Sequence, residues 1–251
     1  MKSLGRSAET LFAIAAMVVL WELYTRFYAV PEFLLPSPLA VWKALVEAAK
    51  GQLFSHLFYT IGILTLGFAI GVVLGLAGGL ALAKSSRLER WFGGPILFLQ
   101  TAPKIALAPL FVIWFGLGLT SKIVLITSLV FFPVLIGTLV GVKSLDSKLR
   151  DLARVLHLSV WQRFRLIEFP AALPEIFVGL RVGAVQAVVG AILAEWMAGK
   201  QGLGYLMTFA SATYKTPLLF ATVIVTALLG IAVYQLIEMV ERRLLAWREL
   251  P

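Results

Sequence analysis

Long apolar runs separated by short polar ones set the pattern of this chain. In order they cover Thr10–Tyr28, Leu57–Leu82, Phe92–Phe115, Ile123–Val142, Ile176–Met197 and Pro217–Val240. Each is close to or beyond the ~20 residues that carry a helix across a bilayer. The pattern predicts an all-α integral membrane protein, a bundle of six transmembrane helices forming a single domain over residues 1–251. The first run follows a basic start, but Glu22-Leu-Tyr-Thr-Arg after it offers no small-x-small cleavage site, so a retained helix lying against lipid is expected. Pro31, Pro36 and Pro38 then mark an external connection, followed by a short amphipathic helix over Leu39–Ala49.

Composition agrees: 60% of the residues are hydrophobic and 14% charged, with a mean hydropathy of +0.93, which excludes an ordinary soluble domain. Cysteine is absent, and His56 and His157 are the only histidines. Disulfides, thiolate metal sites and cysteine nucleophiles are therefore excluded, and no metal site is expected. The net charge of +9 could point to nucleic acid, but its distribution points to topology. With the N-terminus in the cytoplasm, Arg26, Lys43, Lys50, Lys122, Lys200 and Lys215 fall outside. A larger set falls inside, running from Lys2 and Arg6 through Lys84, Arg87, Arg90, Lys143, Lys148, Arg150, Arg154, Arg163 and Arg165 to Arg242, Arg243 and Arg248. This is the positive-inside bias, which places both termini in the cytoplasm and argues against a nucleic-acid partner.

Gly67, Gly71, Gly75 and Gly79 recur every fourth residue in the second run. That spacing makes one stripe along a helix, suited either to close packing with a neighbour or to pore lining. The fifth run repeats the idea with Gly179, Gly183 and Gly190 around Gln186, whose polarity suits a translocation-pathway role. Polar residues inside spans are costly to bury and invite a functional reading. Gln100, Thr101 and Lys104 share a helical face between Pro103 and Pro109, and so form a candidate translocation patch. Lys104 is either a pathway cation or a structural partner of a carboxylate or of carbonyls. Arg181 and Glu195 lie fourteen residues apart on nearly one face, either as gating residues or as interfacial groups satisfied by water.

The polar segment 143–175 between the fourth and fifth runs has its own structure. Leu149, Leu152, Ala153 and Leu156 make an apolar stripe opposed by Lys148, Arg150 and Arg154. His157-Leu158 breaks that run, and Ser159-Val-Trp-Gln162 has the form of a capping box opening a second helix. Pro170 is expected to stop this helix, and Pro174 to sit in the first turn of the next span. Val160, Trp161 and Phe164 stand beside Arg163 and Arg165, as suits either a soluble partner or the membrane surface. Gly199-Lys200 is followed by Gln201 and preceded at the required distance by Ala194, so no phosphate-binding loop exists there. A nucleotide that drives this protein must bind another chain.

The segment resembles the signature of ABC-importer permeases, Glu-Ala-Ala-x3-Gly-x9-Ile-x-Leu-Pro. Asp151, Leu152 and Ala153 stand at its first three positions, His157 at the glycine, Ile167 at the isoleucine and Phe169-Pro170 at the end. The likeness extends through Leu35-Pro-Ser-Pro38, Pro109-Leu-Phe-Val-Ile-Trp-Phe-Gly116, Phe132-Pro133, Ala171-Ala-Leu-Pro174, Gly179-Leu-Arg181, Ala194-Glu195 and Gly202-Leu-Gly-Tyr205. These are similar to permeases of the nitrate, sulfonate and taurine group, and Ala102–Pro109 to a branch associated with thiamine-pyrimidine or riboflavin uptake. The resemblance implies a type I importer permease of the bacterial inner membrane with a cytoplasmic coupling helix. It implies a second permease copy, two cytosolic ATPases that carry the ATP-Mg, and an extracytoplasmic substrate-binding protein. No catalysis and no cofactor are expected in this chain. Asp151, Ala153, His157, Ser159, Val160, Trp161, Phe164 and Pro170 would form the coupling surface. His157 departs from the pattern, since a non-glycine residue in a left-handed turn costs roughly 1–2 kcal/mol. An ion-coupled secondary transporter is the competing reading; it predicts midplane acids or inverted repeats, and neither is evident. A membrane-embedded enzyme lacks a Cys, His and Asp constellation.

Overall fold

The computed structural model describes residues 2–248, which are helical or in turns with no strand among them. The side chains of Lys2, Arg6, Thr10, Arg150, Leu152 and Arg248 lie outside the described residues. Helix α1 spans Lys2–Phe27, α2 Pro38–Lys50, α3 Leu53–Lys84, α4 Ser86–Thr101, α5 Lys104–Phe115 and α6 Leu119–Lys143. Then follow α7 (Ser147–Val155), α8 (Val160–Arg163), a π-helical turn (Phe164–Glu168), α9 (Phe169–Ala198), α10 (Leu203–Ala212) and α11 (Thr216–Leu244). By length and composition α3, α6, α11 and the continuous helix Val160–Ala198 can cross a membrane, and α4 with α5 makes a fifth candidate.

At the centre is α6, packed between α3 and α9. Ile126, Val130 and Val134 of α6 meet Ile63 and Leu64 of α3 and Ala187, Val188 and Ala191 of α9 in the main apolar cluster. Glycines make this approach possible. A Cβ added at Gly67 would lie 2.6 Å from Ile126, at Gly71 2.7 Å from Val130, at Gly75 2.8 Å from Val134 and at Gly79 2.6 Å from Thr138. The stripe on α3 thus receives a matching row on α6, four residues per step on both helices. The other side of α6 is packed the same way: a Cβ at Gly137 would meet Glu175 O, one at Gly141 would meet Ala172 O, and one at Gly179 would meet Pro133 O. In a bilayer, where apolar burial does not drive helix pairing, such backbone proximity carries the association.

The third apolar run does not form one straight span. Helices α4 and α5 meet at 96°. Pro103 bars Ala102 from the helical region, and Ala102 accordingly takes φ −57°, ψ 138°. Pro109 stays within α5. Helix α4 buries no residue, so the run yields one exposed arm and one packed arm.

Two expectations about prolines need correction. Pro170 does not stop the helix begun at Val160, because the chain runs on as one helix of 39 residues. The π turn absorbs the proline: Phe169 N–H reaches back to Phe164 O, and the wider turn relieves the clash a proline ring makes in an α-helix. Pro174 lies inside α9, past its first turn. Helix α2 matches the expected amphipathic segment; Ser37 caps it by accepting from Ala40 N–H at 3.2 Å, and Pro38 occupies the first turn. The sequence pattern gave no sign of α10, a short helix with Leu203 and Ala210 fully buried.

Candidate functional site

At one end of the bundle, α7 ends in a Schellman turn. His157 N–H bonds Arg154 O at 3.0 Å, Leu158 N–H bonds Ala153 O at 3.1 Å, and His157 takes φ +49°. His157 therefore occupies the left-handed position that glycine usually fills. Next, Ser159 Oγ accepts from Gln162 N–H at 3.2 Å while Gln162 Oε1 accepts from Ser159 N–H at 2.9 Å, so both arms of the capping box are present.

These two caps fix a tight bend that presents apolar side chains outward. Val160 is 72% exposed and Trp161 66%, with Val155 and Leu156 exposed beside them. Phe164 turns inward, with its ring 5.9 Å from that of Trp161, 5.8 Å from that of Phe169, and capped by Lys84 Nζ at 4.1 Å. Arg163 pairs with Glu168 across the π turn at 2.8 Å. Ala153 is buried, Asp151 pairs with Arg154 on the surface at 3.1 Å, and Lys143 pairs with Glu89. Pro170 lies in the first turn of α9.

The polar residues within the apolar runs do not gather into one patch. Lys104 Nζ donates to Gln100 O at 3.1 Å and sits over the Phe132 ring at 4.5 Å. It thereby satisfies a carbonyl that the end of α4 leaves open. Thr101 bonds Leu97 O and Phe98 O within its own helix and is exposed, as is Gln100. Arg181 pairs with Glu241 of α11 at 2.7 Å, and Gln186 is half-buried. Arg181 and Glu195 therefore serve different contacts.

Glu195 anchors a buried polar clamp at the end of the bundle opposite the Val160–Trp161 bend. It is 1% exposed and accepts from Thr60 Oγ1 at 2.8 Å and from Gly204 N–H at 2.8 Å. Thr60 in turn accepts from Leu203 N–H at 2.9 Å, and His56 Nδ1 accepts from Gly202 N–H at 3.0 Å. The clamp thus takes up N–H groups at the start of α10 with side chains from α3 and α9. Gly202 adopts φ +109°, and a Cβ there would lie 2.0 Å from the Glu195 carboxyl carbon. Ala194-Glu195 and Gly202-Leu-Gly-Tyr205 are separate stretches along the chain, and folding joins them. Thr60 and His56 carried no signal of their own. Among the described residues no group of three or more His, Cys, Asp or Glu side chains is placed to hold a metal.

Residues 71–246 match the family described as the binding-protein-dependent transport system inner membrane component. The chain belongs to this family. The permease is 35% identical over 240 residues to the formylaminopyrimidine transport permease protein ThiX of Halalkalibacterium halodurans, covering 96% of this chain and 95% of the relative. It is also 35% identical over 235 residues to the putative aliphatic sulfonates transport permease protein SsuC of Bacillus subtilis (93% and 85% covered). The riboflavin transport system permease protein RibX of Chloroflexus aurantiacus matches at 35% over 235 residues (92% and 87%). In fold the permease is similar to a chain of the MetNI methionine ABC transporter in an inward-facing conformation, with TM-score 0.65 and 16% identity, covering 77% of this chain and 97% of that one. The permease is a multi-pass protein of the inner membrane and belongs to a family of transport proteins, not of enzymes.

Proposed function

We propose that this permease is the membrane subunit of an ATP-driven, binding-protein-dependent importer of small organic solutes. Two copies would work with two cytosolic ATPases that hold the ATP-Mg and with one extracytoplasmic binding protein. In this reading α1 is the sixth span and both termini are cytoplasmic, as the positive-inside bias supports.

One observation carries the proposal: the exposed apolar bend at Val160–Trp161 is the first turn of the same 39-residue helix that forms the packed span α9. A soluble partner that grips the bend would therefore move a helix of the bundle. Helix α9 lies against α6 through glycine contacts, and α6 against α3 through the Gly67–Gly79 stripe, so displacement would be shared by a rigid three-helix unit. Asp151, Ala153, His157 and Ser159 would set the angle of the bend, Val160, Trp161 and Phe164 would make or support the contact, and Pro170 with the π turn would form the joint. Partner closure would then switch the permease between two packings, the usual basis of alternating access. Gln100, Thr101, Lys104, Arg181 and Gln186 are proposed along the pathway, whereas Glu195, expected there too, is buried and taken up by Thr60 and Gly204, so its role is to hold α10 and not to line or gate the path. Lys104 and Arg181 would also hold the backbone and α11 in place.

The solute stays open between anions of the sulfonate kind and aromatic vitamin precursors, because relatives named for aliphatic sulfonates, formylaminopyrimidine and riboflavin are each 35% identical. Reconstitution into proteoliposomes with and without the ATPase and binding protein tests the proposal. Uptake should require both and ATP. Uptake driven by an ion gradient alone would overturn it in favour of a secondary carrier.

A further inference from the structure

Lys122 is the least expected charge in the bundle. It sits in the first turn of α6 and is only 4% exposed, yet no carboxylate of the described residues lies within ion-pairing distance of it. Its ammonium donates to Tyr59 Oη at 3.1 Å and lies 5.0 Å from that ring's centre, and no other acceptor of the described residues bonds it, though an ammonium carries three donors. Glu195 is near enough to act on it electrostatically but is itself engaged by Thr60 and Gly204. A buried ammonium with spare donors is costly unless an anion completes it.

The residue borders a cavity of about 400 Å³, a size suited to a small organic molecule. Tyr59, Lys122, Lys200 and Gln201 supply its polar wall, and Leu117, Leu119 and Met197 an apolar one. Lys200 is exposed and has no ion pair among the described residues. Gly118 and Leu119, the N-cap and first residue of α6, line the same space, and Gly118 gives the helix no side-chain cap. Two cations and a helix N-terminus converge there, beside a surface that can accept a short hydrocarbon.

We propose that this cavity is an entry site for a small organic anion, with its sulfonate or carboxylate head on Lys122 and Lys200 and its apolar part against Leu117, Leu119 and Met197. The inference rests on the importer reading, in which this end of α6 faces outward. At 25 residues, α6 sets the site roughly 37 Å from its cytoplasmic end.

Purified full-length permease in nanodiscs, titrated calorimetrically with ethanesulfonate, propionate and the uncharged ethyl methyl sulfone, tests this. Saturable binding of the anions but not the sulfone is expected. Lys122→Met should weaken it by about 10-fold or more, as for a charge-assisted hydrogen bond. Lys200→Ala should weaken it about 3-fold, and Lys122→Arg should retain it. Equal binding of the sulfone, no saturable anion binding, or an unchanged affinity in Lys122→Met would each overturn the site. If Lys122→Met does not fold, Tyr59→Phe and Lys200→Ala decide, and unchanged affinity in both overturns it. The same preparations in proteoliposomes separate the two readings: ATP-dependent uptake without anion binding removes the site alone, and anion binding with uptake indifferent to ATP removes the importer alone.

Discussion

The α3–α6–α9 interface and the Val155–Trp161 bend differ in what their side chains do. Along the interface, helices meet through absent side chains, and a Cβ at Gly67, Gly71, Gly75, Gly79, Gly137, Gly141 or Gly179 would fall within 3 Å of backbone or a β-branched neighbour. At the bend, large apolar side chains stand in the open while two hydrogen-bonded caps hold the backbone. A contact made of missing atoms cannot be remade elsewhere, so the interface suits a body that moves as one. Exposed side chains on a fixed turn suit a contact that another molecule makes and breaks.

The largest expected effect breaks the interface. Gly71→Leu would drive a side chain into Val130 at a position with no room to yield, and overpacking of this kind costs about 1–3 kcal/mol or more. A lower thermal unfolding midpoint in detergent, or loss of the monodisperse peak, is expected. Gly93→Ala is the control, since nothing lies within 4 Å of a Cβ there, and its midpoint should hold or rise, because alanine favours the helix. Should Gly71→Leu be as stable as Gly93→Ala, the interface is not close-packed.

The clamp comes next. Glu195→Ala strips the Gly204 N–H of its acceptor and leaves the Thr60 hydroxyl only His56 O, at about 1–3 kcal/mol for a buried polar group left unpaired. Glu195→Gln, which keeps an acceptor, should lose less. Amide exchange at Gly204 reads this directly, and protection equal to wild type in Glu195→Ala would show that the carboxylate does not hold α10. At the bend the effect should appear only in binding. Trp161→Ala is expected to weaken ATPase co-purification about 10-fold or more, as for an aromatic anchor, with the unfolding midpoint unchanged. Equal co-purification would place the partner elsewhere.

How far each region was legible follows from the range of its interactions. The glycine stripe and the Ser159–Gln162 capping box are local, periodic signals, and both can be read directly from spacing. The second interface is less visible, because Gly137 and Gly141 are paired with positions on another helix that no spacing reveals. Pro170 misled because a proline is a local stop signal, and the π turn that accommodates it leaves no mark in the residue pattern. Lys122 was legible only as an external charge; its burial depends on Tyr59, sixty-three residues away. The clamp lay in two separate motifs whose meeting is a tertiary fact.

The smallest effect isolates the backbone of the bend, because His157→Gly alters one backbone position and leaves Val160 and Trp161 in place. His157 holds φ +49° in the Schellman turn, where glycine avoids the crowding a Cβ brings. His157→Gly should relieve about 1 kcal/mol in the native turn but also loosen the unfolded chain, so the two changes partly offset in global stability. The local readout is cleaner: amide exchange at Leu158, whose N–H closes the turn on Ala153 O, reports opening of the bend alone. If histidine strains the turn, exchange there slows in His157→Gly while ATPase association changes little, because Val160 and Trp161 keep their places. If exchange quickens, the imidazole is itself part of what holds the bend, and the departure from glycine is a stabilising feature of this permease.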